Sequence, residues 1–180
     1  MRRERVDPRP DWRERVEARG LLFHTNEDRG TYWDESVRYV FTEAEIEELE
    51  SATAELHRIC VETVRDLVGR GDLERLGLPA RLGPLIRRSL ANGDPSLYGR
   101  FDLVYGAGGP PKMLEYNADT PTSLLEAAVI QWWWLQDLEP EADQFNSLWE
   151  GLVETWTRFR SERRLKGTSI HFAHDGGIED

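Results

Sequence analysis

Residues 100–126 read RFDLVYGAGGPPKMLEYNADTPTSLLE. Two runs rich in aromatic and aliphatic residues, 98–105 and 112–117, flank Gly106-Ala107-Gly108-Gly109-Pro110-Pro111, a composition that ends strands and favours a turn. A β-hairpin is expected. Side chains alternate between the two faces of a strand, so Arg100 and Asp102 share one face while Phe101, Leu103 and Tyr105 take the other. Likewise Glu115 and Asn117 lie opposite Leu114 and Tyr116. Closure with Tyr105 facing Lys112 would set Asp102 across from Glu115 and Arg100 across from Asn117.

Two carboxylates directly cross-strand repel each other unless positive charge lies with them. Asp102, Glu115 and the Asn117 amide are hard oxygen donors, and Mg²⁺ typically takes one or two carboxylates together with phosphate oxygens and waters. Arg100 adds a planar, permanently charged fork of donors suited to a phosphate or a developing oxyanion. A solvated sheet face with an ordinary Arg–Asp ion pair is the alternative that spacing alone leaves open. Beyond Asn117 the chain turns through Ala118-Asp119-Thr120-Pro121 toward a helix marked by Ser123 and Glu126 in capping-box spacing. A helix N-terminus binds anions, which makes Asp119, Thr120, Thr122 and Ser123 a candidate substrate- or phosphate-binding group. Simple helix capping explains the same residues taken one by one.

The run LEYNADTPTSLLEA, preceded by YGRFD and followed by a Trp-rich segment, resembles the amino-terminal part of the glutathionylspermidine synthase family. DPRPDWRERVEARGLLFH and YWDESVRYVFT extend the resemblance over most of the chain. The resemblance implies an ATP-grasp catalytic module that joins a peptide carboxylate such as glutathione to an amine such as a polyamine. ATP is the co-substrate, and an acyl phosphate is the intermediate. Carried over by motif, it implies Mg²⁺ on Asp102, Glu115 and Asn117, with Arg100 stabilising charge on the transferred phosphoryl group. The family's nucleotide-contacting lysines and substrate loops lie farther along than residue 180. Residues 1–180 are therefore expected to be a single domain, the front part of a longer ligase truncated at its C-terminal side. A non-catalytic binding or assembly module derived from the family is the alternative.

The 180 residues carry a net charge of −11, which argues against nucleic acid or an anionic membrane as partner and favours small cations such as polyamines. The lone Cys60 excludes an intrachain disulfide and suits a reducing compartment, so a cytoplasmic location is expected. Met1-Arg2-Arg3 leads into charged residues and not an apolar signal core.

The remaining chain reads as an α+β protein, a small antiparallel or mixed sheet flanked by several helices. Helices are expected at 2–20, anchored by Trp12 and Val16, and at 42–69, opened by the Thr42–Glu45 capping box. In the second, Ile46, Leu49, Leu56, Cys60, Val64 and Leu67 form the apolar stripe, with His57 beside it. Further helices are expected at 80–92, at 123–138 (apolar nearly all round, with Trp132, Trp133 and Trp134) and at 143–164. The last would bury Phe145, Leu148, Trp149, Leu152, Trp156 and Phe159. Short strands are expected at 21–23 and 168–173. His24 reads as a packing residue, and residues 32–35 as a helix start or an amine cradle.

Overall fold

The computed structural model describes residues 1–162 apart from Glu27, Arg29 and Ala107. The expected strand at 168–173 lies outside the described residues. In chain order the elements are β1 (Arg2–Arg5), α1 (Trp12–Glu17), β2 (Thr25–Asn26), β3 (Gly30–Thr31), β4 (Val37–Val40), α2 (Glu43–Arg70), α3 (Gly83–Asn92), β5 (Arg100–Val104), β6 (Lys112–Asn117), α4 (Gln131–Leu138) and α5 (Leu148–Ser161). The class is α+β as expected, with the described strands paired as three separate antiparallel ribbons, β1–β4, β2–β3 and β5–β6. Two compact units form: residues 42–118, and residues 1–41 together with the described residues from Asp119 onward. No helix among the described residues is long and apolar enough to cross a membrane.

In the unit that contains residues 1–41, the expected helix at 2–20 is confined to α1. Arg2-Arg3-Glu4-Arg5 carries no apolar helical period, and Pro8 and Pro10 bar a continuous helix. The segment pairs instead with β4, setting Glu4 opposite Arg38, where opposite charges are favourable. Arg38 also pairs with Glu139. Trp12 and Val16 are buried four apart as expected, and with Leu21 and Ile130 they form the core, against which Phe23, Trp33 and Leu125 pack. Residues 21–23 form no strand: Leu21 is fully buried and its N–H closes onto the Val16 carbonyl as the chain leaves α1. His24 is buried edge-on against Trp12, with its ring nitrogens at Thr25 and Glu17. Packing is its place in the fold.

No helix begins at 32–35, because Glu35 turns inward to Arg9. Its carboxylate accepts from Arg9 Nε at 3.0 Å, from a second Arg9 nitrogen and from Trp33 Nε1 at 3.2 Å. Arg9 reaches Asp137 as well, at 2.5 Å, and Arg15 meets the same carboxylate at 2.9 Å. Burial works against the charge of Arg9, yet the hydrogen bonds to Glu35 and Asp137 outweigh it and its pKa is raised. This network ties the proline-rich entry to the turn before β4 and to α4.

The tryptophan-rich segment is helical from Leu124, runs through a π-helical turn at Glu126–Ile130 and continues as α4. Ala128, Ile130 and Leu135 are buried, whereas Trp132 and Trp133 are exposed, and Arg19 lies 4.5 Å over the Trp133 ring. α5 starts later than expected because the Asn146 side chain accepts from the Leu148 N–H and donates to the Ala127 carbonyl. Phe159 is buried as expected, whereas Trp149 faces solvent and Phe145 lies outside the helix against Phe41.

In the unit formed by residues 42–118, Thr42 and Glu45 complete the expected capping box, and Gly71 at φ 81 ends α2. Leu49 and Val68 are buried, Ile46, Leu56, Cys60 and Leu67 half-buried, and Val64 exposed, contrary to the expected stripe. α3 follows a short turn at Ala80–Leu82, has Pro84 in its first turn and closes at Gly93.

Glu35→Gln removes one charge of a pair whose side chains are 5% and 0% exposed. It should therefore cost about 3–5 kcal/mol in urea unfolding, while the double change Arg9→Met, Glu35→Leu should recover most of that loss.

Candidate functional site

β5 and β6 pair with Arg100 opposite Asn117, Phe101 opposite Tyr116 and Asp102 opposite Glu115, the register expected for these residues. Toward the loop the register shifts by one: Leu103 faces Met113 and Val104 faces Lys112, so Tyr105 does not face Lys112. The Gly- and Pro-rich loop fixes that a turn occurs but not how many residues each strand contributes to it. Leu114 is the extra residue, 68% exposed, and such a bulge bends and twists its strand beside the residue that follows, here Glu115.

Arg100 lies between the two facing carboxylates. Its Nε donates to Asp102 Oδ1 at 2.8 Å and a terminal nitrogen to Glu115 Oε1 at 3.4 Å. The hydrogen bond that Arg100 donates to Asp102 raises the Arg100 pKa, against a smaller opposing effect of burial. All three side chains keep contact with solvent, at 28%, 41% and 58% exposure for Arg100, Asp102 and Glu115. Asn117 completes the face, half-buried opposite Arg100. Among the described residues no three His, Cys, Asp or Glu side chains converge, so the oxygen donors here are two carboxylates and one amide.

The opposite face of the hairpin is aromatic. Phe101 stacks on Tyr116 with ring centroids 3.9 Å apart and planes 17° apart. The Tyr116 hydroxyl is 2.9 Å from His57 Nδ1 on α2, and burial, then the nearby Cys60, pushes its pKa up. Tyr105 donates to Glu48, also on α2, at 2.8 Å. Gly99 lies under the Tyr116 ring, where an added Cβ would come within 2.7 Å of a ring carbon. Neither His57 nor Gly99 was legible as part of the site. Their relevance arises from contacts 59 and 17 positions away in the chain, which no local pattern encodes.

Asp119, Thr120, Thr122 and Ser123 belong to the other unit, with Asp119 and Thr120 exposed and Thr122 and Ser123 half-buried. The expected Ser123–Glu126 capping box does not form. Ser123 adopts φ 72, left-handed where a capping residue is extended, and Glu126 is buried with Tyr32 donating to it at 2.6 Å. Among the described residues Ser123 is the one non-glycine residue at positive φ.

Fold and site together define a small α+β module that displays an arginine and paired carboxylates on one face of a hairpin. The chain belongs to the glutathionylspermidine synthase family: the family described as "Glutathionylspermidine synthase preATP-grasp" matches residues 3–180. It is 39% identical over 176 residues to a Haemophilus influenzae protein named "Putative acid--amine ligase", an alignment covering 96% of this chain and 44% of that protein. The chain thus spans under half the length of this curated relative.

Gly99→Ala should force the Tyr116 ring to shift and cost about 1–3 kcal/mol of stability, the range for overpacking. Thermal and urea unfolding, with near-ultraviolet circular dichroism reporting the tyrosine environment, would check it; unchanged stability and spectra would contradict the packing described.

Proposed function

We propose that this chain is the front portion of an ATP-dependent acid–amine ligase, in which the hairpin face manages the charge of a nucleotide's phosphates. The observation that carries the reading is the Asp102–Glu115 pair with Arg100 between them, placed on the RFD and EYN strands of a member of this family. The donor set suits magnesium. Asp102 and Glu115 would hold the ion through carboxylate oxygens and Asn117 through its amide oxygen, and such sites leave room for phosphate and water. Magnesium supplies positive charge at the phosphate oxygens when bound. Arg100 would release Glu115, which it holds at a longer distance than Asp102, and turn its guanidinium toward the group in transfer, where a planar fork of donors offsets developing negative charge.

The substrates in this reading are a peptide carboxylate such as glutathione and an amine such as a polyamine, joined through an acyl phosphate. Asp119, Thr120, Thr122 and Ser123 are the residues we assign to substrate or phosphate. The net charge of −11 supports a cationic small-molecule partner over nucleic acid or membrane, and the lone Cys60 supports a cytoplasmic setting. Residues 1–180 would act as one domain of the ligase, with the nucleotide clamp completed by a segment like the remaining length of the Haemophilus influenzae protein.

The chain by itself should release no ADP from Mg-ATP in the presence of glutathione and spermidine. A chimera in which it replaces the matching residues of the Haemophilus influenzae protein should release ADP only when both substrates are present. A chimera that unfolds cooperatively yet turns over neither would contradict the reading.

In that chimera Arg100→Lys should lower kcat by on the order of a hundredfold, as for other lost charge stabilisers. The change in stability should stay under about 1 kcal/mol, because the ion pairs of Arg100 are solvent-exposed. Asp102→Ala and Glu115→Ala should abolish turnover with stability held or raised, since each relieves the repulsion of facing carboxylates. Lower melting temperature with wild-type turnover would show instead that Arg100 and Asp102 are a structural ion pair.

A further inference from the structure

The hairpin that carries Asp102 and Glu115 is a two-stranded ribbon, a form with little stability of its own. Its β6 strand bulges at Leu114, immediately before Glu115, and bulged strands twist more than regular ones. The alignment of Glu115 with Asp102 therefore depends on what fixes β6 on the other side of Glu115. That residue is Tyr116. Its ring is stacked on Phe101, its cross-strand partner, and its hydroxyl is 2.9 Å from Nδ1 of His57 on α2. Phe101 lies between Arg100 and Asp102, and Tyr116 between Glu115 and Asn117, so the stacked pair backs all four residues of the face. Gly99 supplies the space the Tyr116 ring needs.

We infer that His57 is a positioning residue for the candidate metal face, acting through Tyr116 to hold Glu115 and Asn117 in line with Asp102. The inference rests on the magnesium reading above. His57 is exposed and touches none of the three proposed ligands in the described contacts, so its effect would pass through the Tyr116 hydroxyl and the pleat of β6. The comparable bond from Tyr105 to Glu48 lies on the loop side of the bulge, whereas the His57 contact lies on the Glu115 side.

The test is a titration of the chain with Mn²⁺ alone, followed by loss of the free-ion electron paramagnetic resonance signal. The relevant component is the binding that Asp102→Ala removes. Tyr116→Phe deletes one oxygen and keeps the stacked ring, and it should weaken that component by on the order of tenfold, the effect of losing a supporting partner of a metal ligand. His57→Ala should do the same, the double variant should lose no more than either single one, and His57→Asn, whose amide oxygen can stand in for Nδ1, should restore affinity. Equal Mn²⁺ affinity in wild type, His57→Ala and Tyr116→Phe would overturn the inference while leaving the metal reading intact, as would additive losses in the double variant or no restoration by Asn. A wild-type chain with no Mn²⁺ binding sensitive to Asp102→Ala would overturn both.

Discussion

The arrangement on which the rest depends is a guanidinium between two carboxylates that face each other across a β-ribbon. Asp102 and Glu115 are paired directly, a placement that costs energy unless a cation shares it, and Arg100 is that cation in this structure. The arrangement is partly exposed, so it contributes little to stability; surface ion pairs are worth about 0–1 kcal/mol. Its value lies in what it keeps assembled. A cation already sits with oxygen donors that a divalent ion could use, and its contact with Glu115, at 3.4 Å, is long enough to be weak.

The two faces of the hairpin divide the work. The polar face holds Arg100, Asp102, Glu115 and Asn117, while the aromatic face is held to α2 through Tyr116–His57 and Tyr105–Glu48. α2 can serve as this support because its ends are well defined, by the Thr42–Glu45 capping box and by Gly71 in the left-handed conformation. In the other unit the corresponding stiff element is the buried Arg9–Glu35 pair with Asp137. Both partners there are almost fully buried, so that network is where electrostatics weighs on folding, in contrast to the exposed hairpin face.

Much of the hairpin was legible because its signals are local and agree with one another. The period-2 alternation, the Gly- and Pro-rich loop and the charge pattern all lead to the pairing of Asp102 with Glu115. The Leu114 bulge carries no such mark, since a one-residue shift in a loop of that composition leaves the pattern nearly the same. β1 was hidden because its partner lies some 35 positions away and its own four residues are all charged. Ser123 shows local wording overruled by tertiary contact: the sequence fits a capping box, but Glu126 is taken by Tyr32. Trp149 was expected in the interior from its helical spacing yet faces solvent, and in the 123–138 segment an apolar composition does not reveal that the Trp132 and Trp133 rings will be left exposed.

The central claim is that the oxygens now bonded by Arg100 are the ones a metal–nucleotide complex uses. Its most direct test is a crystal structure of the chain grown with Mn²⁺ and a non-hydrolysable ATP analogue, read by the anomalous signal of manganese. The account predicts manganese coordinated by Asp102 and Glu115, with the Arg100 guanidinium withdrawn from Glu115. Manganese bound elsewhere, or Arg100 still bridging Asp102 and Glu115 with nucleotide present, would contradict it.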